Sequence, residues 1–226
     1  MRRIIFSGWM GPNEMTESRS QALLSLVRNN GCPQMHLTTN TLANWIDPAY
    51  PFHPLFNLLS AVHKCDYLRC YMLHVHGGGY ADVKHTQKNW HPFFDQLERS
   101  PAYGVGYTEV GEHGVATVGG ELEIEMKQNY TKLIGLCAMI FRPKTEFTEL
   151  WFRKLTELID SKAEQLLQHP ARHPQDRFGA PFTDGSVSEY PFAWTAVGGD
   201  LFHPLVYQYA DQIAHADMAP SFENYR

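Results

Sequence analysis

Two stretches carry the residue types that could do chemistry. Asp66 and Arg69 stand three residues apart in Lys64-Cys65-Asp66-Tyr67-Leu68-Arg69. Asp82 and Lys84 follow Gly77-Gly78-Gly79-Tyr80-Ala81. A carboxylate at the end of a short strand can hold a hard divalent cation, and such a cation can bridge phosphate oxygens. In open α/β sheets, ligands gather beyond the carboxyl ends of the strands. Arginine and lysine beside that point would neutralise an anion. Taken alone, Asp66 and Arg69 read equally as a structural ion pair at the rim of a core.

The flanking pattern predicts elements that would position these groups. From Val62 the apolar residues fall at Cys65, Leu68, Met72 and Val75, one face of a helix. At 100° per residue Arg69 lies about 60° from the centre of that face, and Asp66 is its i−3 neighbour. The glycine run reads as a sharp turn between this helix and a short strand over Tyr80–Val83. Ile4-Ile5-Phe6, closed by Ser7-Gly8, reads as a buried first strand. Glu17–Arg28 reads as a helix stopped by Asn29-Asn30-Gly31, and Gln34–Thr38 as a second strand. Strand, helix, strand is an opening βαβ unit and favours a parallel or mixed sheet. Residues 101–120 suggest paired strands, and Leu133–Phe141 is a continuous apolar strand. Thr145–Gln168 reads as a helix with a stripe of Phe147, Leu150, Trp151, Leu155, Leu158 and Ile159. Residues 47–54 form a proline-containing loop, and residues 169–190 a loop or lid.

Composition narrows the class. The chain has 226 residues, 43% hydrophobic and 19% charged, which supports a core and excludes a disordered chain. One domain over 1–226 is expected. The net charge of −5, with no basic stripe, argues against a nucleic-acid partner. Cys32, Cys65, Cys70 and Cys137 form no CxxC pair, so a reduced, cytoplasmic compartment is expected. The first apolar run is too short for a signal-peptide core, and no stretch reaches the ~20 apolar residues of a membrane span. His74 and His76 would point about 160° apart on a helix, which argues against a histidine metallohydrolase. No residue pattern indicates an oligomeric state.

The stretch DYLRCYMLHVHGGGYADVK, with Asp66, Arg69, Gly77, Gly78, Tyr80 and Asp82, resembles the signature of GT-A glycosyltransferases. The resemblance is to the DXD-containing mannosyltransferase and capsular-polysaccharide-synthesis type (glycosyltransferase family 32-like). Ile4-Ile5-Phe6 with Trp9 is similar to that family's first strand and nucleotide-facing loop. Tyr190–Trp194 and Gly199–Pro204 are similar to a C-terminal part of its bacterial and viral branch. The resemblance implies an α/β GT-A fold with a mixed, mostly parallel sheet flanked by helices. Residues from roughly 121 to 226 would form its acceptor side. It implies transfer of a hexose or deoxyhexose from a UDP- or GDP-sugar donor to a saccharide acceptor. Asp66 and Arg69 would contact the donor sugar and diphosphate, with Gly78 and Tyr80 beside them. Asp82 would reach a Mn²⁺ or Mg²⁺ ion or the ribose, and Trp9 would lie by the base.

One position departs from the family pattern. The second acidic residue of the Asp-x-Asp pair is Lys84 here, which moves the local charge by +2. A lysine 4 Å from a phosphate gains on the order of 4 kcal/mol at an effective dielectric near 20. Three readings stay open: metal on Asp82 assisted by Lys84, metal-independent transfer, and an inactive nucleotide- or glycan-binding module of a larger synthase. Asp184, Glu189 and Asp200 are candidates for a general base toward an acceptor hydroxyl. Trp194, Trp90 and Trp45 are candidate sugar platforms, whereas Trp151 belongs to a core stripe. His203 and His215 stand where related enzymes add a metal ligand. Glu121, Glu123 and Glu125 read as a solvated strand face or a helix start.

Overall fold

The opening βαβ unit is present in the computed structural model, which describes residues 1–223. Strand β1 (Ile5–Gly8) leads to helix α1 (Glu17–Asn29) and then to β2 (Gln34–Leu37). Thr16 caps α1 by accepting the Arg19 N–H, and Gly31, at φ +73°, turns the chain out of it. Helix α2 (Ala61–Val75) is capped by Ser60 and runs into β3 (Gly78–Ala81). There follow α3 (His91–Glu98), β4 (Gly104–Thr108), α4 (Gly120–Gln128) and β5 (Ile134–Phe141). The remainder is α5 (Glu146–Ser161), α6 (Ala163–Gln168), α7 (Gly199–Gln208) and β6 (Ile213–His215).

Among the described residues six strands form one sheet in the order β2-β1-β3-β5-β4-β6. Only β5 runs against the others, pairing antiparallel with β3 and β4. The sheet is therefore mixed and mostly parallel, as the sequence leads one to expect. One face packs Phe6, Tyr80, Met139 and Phe141 against Leu68 and Met72 of α2, Trp151 of α5 and Phe202 of α7. The other packs Ile5, Ala81, Val105 and Ile140 against Leu26 of α1 and Phe94 and Leu97 of α3. Alternation along each strand assigns these residues to opposite faces. Among the described residues no helix is long and apolar enough to cross a membrane.

Several expectations need correction. The glycine run is not all turn. Gly77, at φ +66°, makes the turn, whereas Gly78 and Gly79 are already in β3. Gly79 is there for room: a Cβ would lie 2.7 Å from the Trp90 ring. Trp90 is 1% exposed and cannot be a sugar platform. Trp45 packs edge-on against Phe6 and His76 and also belongs to the core periphery. Residues 101–120 supply one strand, β4, whose partners β5 and β6 come from later in the chain. The long helix breaks at Lys162 into α5 and α6. Of the two readings of Glu121, Glu123 and Glu125, the helix start is the one present, and there Glu123 accepts the Gly119 N–H. Residues 178–190 fold into a small hairpin, with Ser188 N–H bonded to Ala180 O and Phe182 N–H to Ser186 O.

Candidate functional site

The carboxyl edge of the sheet brings Asp66, Arg69, Asp82 and Lys84 together. Asp82 follows β3, and its N–H donates to the Cys137 carbonyl of β5 at 2.8 Å. Lys84 N–H then donates to Asp82 O at 2.7 Å, a tight turn that carries the lysine back over the edge. Helix α2 lies against the same edge. Its Arg69 gives Nη1 to Asp66 Oδ1 at 2.5 Å and Nη2 to Asp82 Oδ1 at 2.7 Å. The guanidinium sits 4.8 Å from the centre of the Tyr80 ring, and Tyr80 O–H donates to Cys65 O. Tyr80 is thus a floor for Arg69.

Burial grades this cluster. The Arg69 side chain is 5% exposed and that of Asp82 27%. Burial pushes the Asp66 carboxyl up, and Arg69 opposes it. Burial alone would lower the Arg69 guanidinium, but Asp82 and Asp66 outweigh it and the group stays charged. Both terminal nitrogens of Arg69 are engaged by carboxylates, so its direct role is to fix Asp82. Lys84 is 7% exposed. Its Nζ donates to Cys137 Sγ at 3.2 Å, and burial pushes that thiol up to about 12.

The start of α7 meets the same cluster. A Cβ on Gly198 would come within 3.1 Å of the Asp66 carboxylate, so glycine permits this approach. His63, one turn before Asp66, is held on the other side. Its Nε2 donates to Trp194 O, so Nδ1 accepts the Tyr190 O–H, and Tyr190 Oη accepts the Ser60 N–H. Burial holds His63 below its ordinary value. Asp200 lies in the first turn of α7, with Oδ1 buried and without a hydrogen-bond partner, and burial pushes its carboxyl up.

The other expected residues divide clearly. Trp9 stands at the carboxyl end of β1, on the edge that bears Asp82. Its backbone N–H continues the pairing to Leu37, and its indole donates to Asn13 O. Trp194 is 45% exposed, with the Arg177 guanidinium 5.6 Å from its ring centre. Gly78 lies at the amino end of β3 against Ile4, away from Asp82, so its place is structural. Asp184 and Glu189 are on the hairpin segment, where Arg172 and His169 pair with them. His74 meets Thr148 and His76 meets Trp45 O, so the two histidines share no partner.

Three features escaped the sequence reading. Arg19 of α1 donates Nη1 to Val83 O at 2.6 Å, which adds a cation to the turn that bears Lys84. Cys137 holds both the Asp82 backbone and the Lys84 amine. Glu109, just after β4, forms a buried pair with His203 of α7. His203 Nδ1 accepts the Ala116 N–H, and Nε2 lies 3.4 Å from Glu109 Oε2. Burial works against the Glu109 carboxylate, yet His203 and the Val110 N–H hold it below its ordinary value. Only the topology joins these positions; no local sequence spacing signals them.

Asp82 is the more open of the two carboxylates at this edge. Arg69 takes Asp82 Oδ1, which leaves Oδ2, and among the described residues no group of three or more His, Cys, Asp or Glu side chains could hold a metal.

No family model matches the chain, and no curated protein matches it. Among solved structures it is similar to the glycosyltransferase GlyE of Streptococcus pneumoniae TIGR4. The identity is 13% and the TM-score 0.42, over 96% of this chain and 45% of that one. The chain thus spans less than half the length of that structure.

Proposed function

We propose that this chain is a glycosyltransferase that takes a hexose or deoxyhexose from a nucleotide-diphosphate sugar, UDP- or GDP-linked, to a saccharide acceptor. One observation carries the reading. A clamp of Asp66 and Asp82 about the buried Arg69, with Lys84 two residues on from Asp82, stands at the carboxyl edge of a mostly parallel sheet. Arg69 holds Asp82 in place from below. Lys84 and Arg19 supply positive charge where a leaving diphosphate would develop negative charge. Fixed cations there need no reorganisation as the bond breaks, which lowers the barrier to departure. Asp82 would hold a Mn²⁺ or Mg²⁺ ion, whose Lewis-acid charge would favour departure of the diphosphate. In this reading Trp9 would lie by the base and Trp194 would take an acceptor ring. Asp200, with its carboxyl pushed up, suits proton acceptance from an acceptor hydroxyl.

A second reading is an inactive nucleotide- or glycan-binding module of a larger polysaccharide synthase. The covered Lys84, standing where the family has an acid, favours it. Thermal-shift measurement against UDP, GDP, CDP and their sugar conjugates, with and without Mn²⁺, tests the proposal. A ligand at 100 times its dissociation constant adds about 2.7 kcal/mol. Stabilisation by one nucleotide, with slow hydrolysis of its sugar conjugate, supports transfer. Binding without any hydrolysis or transfer supports the module. No shift with any nucleotide overturns transfer and the nucleotide-binding form of the module.

A further inference from the structure

The segment that follows β6 lies across the edge where the proposed donor would bind. Met218 is fully buried, and Ala216 N–H donates to Gly106 O at 2.9 Å. Asp217 pairs with Lys88 at 2.6 Å, and Ser221 N–H donates to His85 O at 2.7 Å. These contacts fasten the segment to β4 and to the loop beyond Lys84. They deliver the Phe222 ring to 5.9 Å from the Tyr107 ring, with the Lys84 ammonium 4.6 Å from its centre. The ring is itself 38% exposed. Phe222 is therefore a surface ring laid over a buried cation, where a phosphate would have to approach.

We propose that residues 216–222 form an autoinhibitory strap: Phe222 occupies the position over Lys84 that a nucleoside diphosphate needs, and donor binding lifts it. The proposal rests on the reading of Asp82 and Lys84 as the donor edge. The anchoring is uneven, which sets where the strap opens. Met218 is locked into the core, Ala219 packs against the same cluster and Pro220 is buried, whereas among the described residues Ser221 and Phe222 are exposed and held by the His85 bond and the ring contacts. Opening beyond Pro220 leaves Met218 and β6 in place. A charged phosphate is a stronger partner for the Lys84 ammonium than a ring face is. A strap closed in most molecules lowers apparent donor affinity by the fraction open, so a tenfold excess of closed form costs about tenfold in affinity.

Two full-length variants test this. Phe222→Ala removes the ring, and Ser221→Pro removes the N–H that bonds His85. Lys84 acylation, followed by peptide mass spectrometry, reads the cover without any nucleotide. Calorimetry with UDP and GDP reads its competition. The expected result is faster Lys84 labelling in both variants and nucleotide affinity raised about tenfold. Labelling at the wild-type rate in both variants overturns the cover. Faster labelling with unchanged or weaker nucleotide affinity overturns the strap and leaves the donor site standing. Faster labelling with no nucleotide bound by any of the three proteins overturns the donor-edge reading, and the strap falls with it.

Discussion

Arg69 joins two carboxylates that reach it from different elements, Asp66 one turn back on α2 and Asp82 just past β3. The pair of bonds ties the helix to the strand end and fixes the direction of Asp82. Removing the guanidinium leaves two buried or half-buried carboxylates facing each other. Arg69→Met is expected to cost about 3–5 kcal/mol in urea unfolding, because breaking a buried pair strands its partners. Arg69→Lys is expected to recover only part of this, since one ammonium does not reproduce the two-pronged geometry.

Lys84 and Asp82 separate binding from stability. Lys84→Ala is expected to weaken UDP or GDP binding by at least about tenfold, from the loss of a few kcal/mol of charge attraction reduced by solvent. Asp82→Asn keeps the shape but loses charge toward both Arg69 and an ion. Its expected signature is the disappearance of any Mn²⁺ effect on nucleotide binding. Titration calorimetry with and without Mn²⁺ checks both variants; an unchanged Mn²⁺ effect in Asp82→Asn would show that the ion does not sit there.

Gly198→Ala probes the contact between α7 and Asp66. A Cβ pressed to 3.1 Å from the carboxylate is expected to cost about 1–3 kcal/mol and to lower donor affinity by displacing Asp66. Thermal unfolding and a nucleotide titration on the same sample read both effects.

His63 predicts an acid limb in stability. Its folded value lies below the ordinary 6.5, so as pH falls the unfolded chain takes up the proton first. The contribution is complete above about 6.5 and is lost as pH falls toward the depressed folded value. His36, His74 and His215 are shifted the same way by burial and add to the slope. His63→Gln should flatten the decline in melting temperature between pH 7 and 5; an identical slope in the two proteins would remove His63 from the account.

The two tryptophans near the site should part company. Trp90→Ala opens a cavity beside Gly79 and is expected to cost about 3–5 kcal/mol. Trp194→Ala is expected to stay within about 0.5 kcal/mol of the parent in denaturant, as an exposed change does. If it weakens saccharide acceptor affinity while leaving nucleotide affinity alone, the platform role holds.

Much of this architecture is legible in the chain, for physical reasons. Helix α2 shows because Cys65, Leu68, Met72 and Val75 keep helical spacing, and the same spacing places Asp66 and Arg69 on one side. Strand β5 shows because it is buried on both faces and reads as one apolar run. Strand β3 misleads because two of its four residues are glycines, chosen for the ring of Trp90 and for the backbone of Ile4. Helix α7 hides behind Gly198-Gly199 and an internal Pro204, all of which weaken helical signals. The Glu109–His203 pair and the Phe222–Lys84 contact were illegible because nothing local encodes a meeting of distant segments.

The position of β6 has a consequence for synthesis. It pairs with β4 and lies on the far side from β5, yet Ile213 follows Thr108 by more than a hundred residues. At about 5–20 residues per second on the ribosome, β4 waits roughly 5–20 s for that neighbour. Through that interval the ladder of Gly104–Gly106 is an open edge, able to pair with any extended chain nearby. The species most exposed to misassociation is therefore the growing chain between those two strands, and slowing its elongation would lengthen that exposure without altering the finished fold.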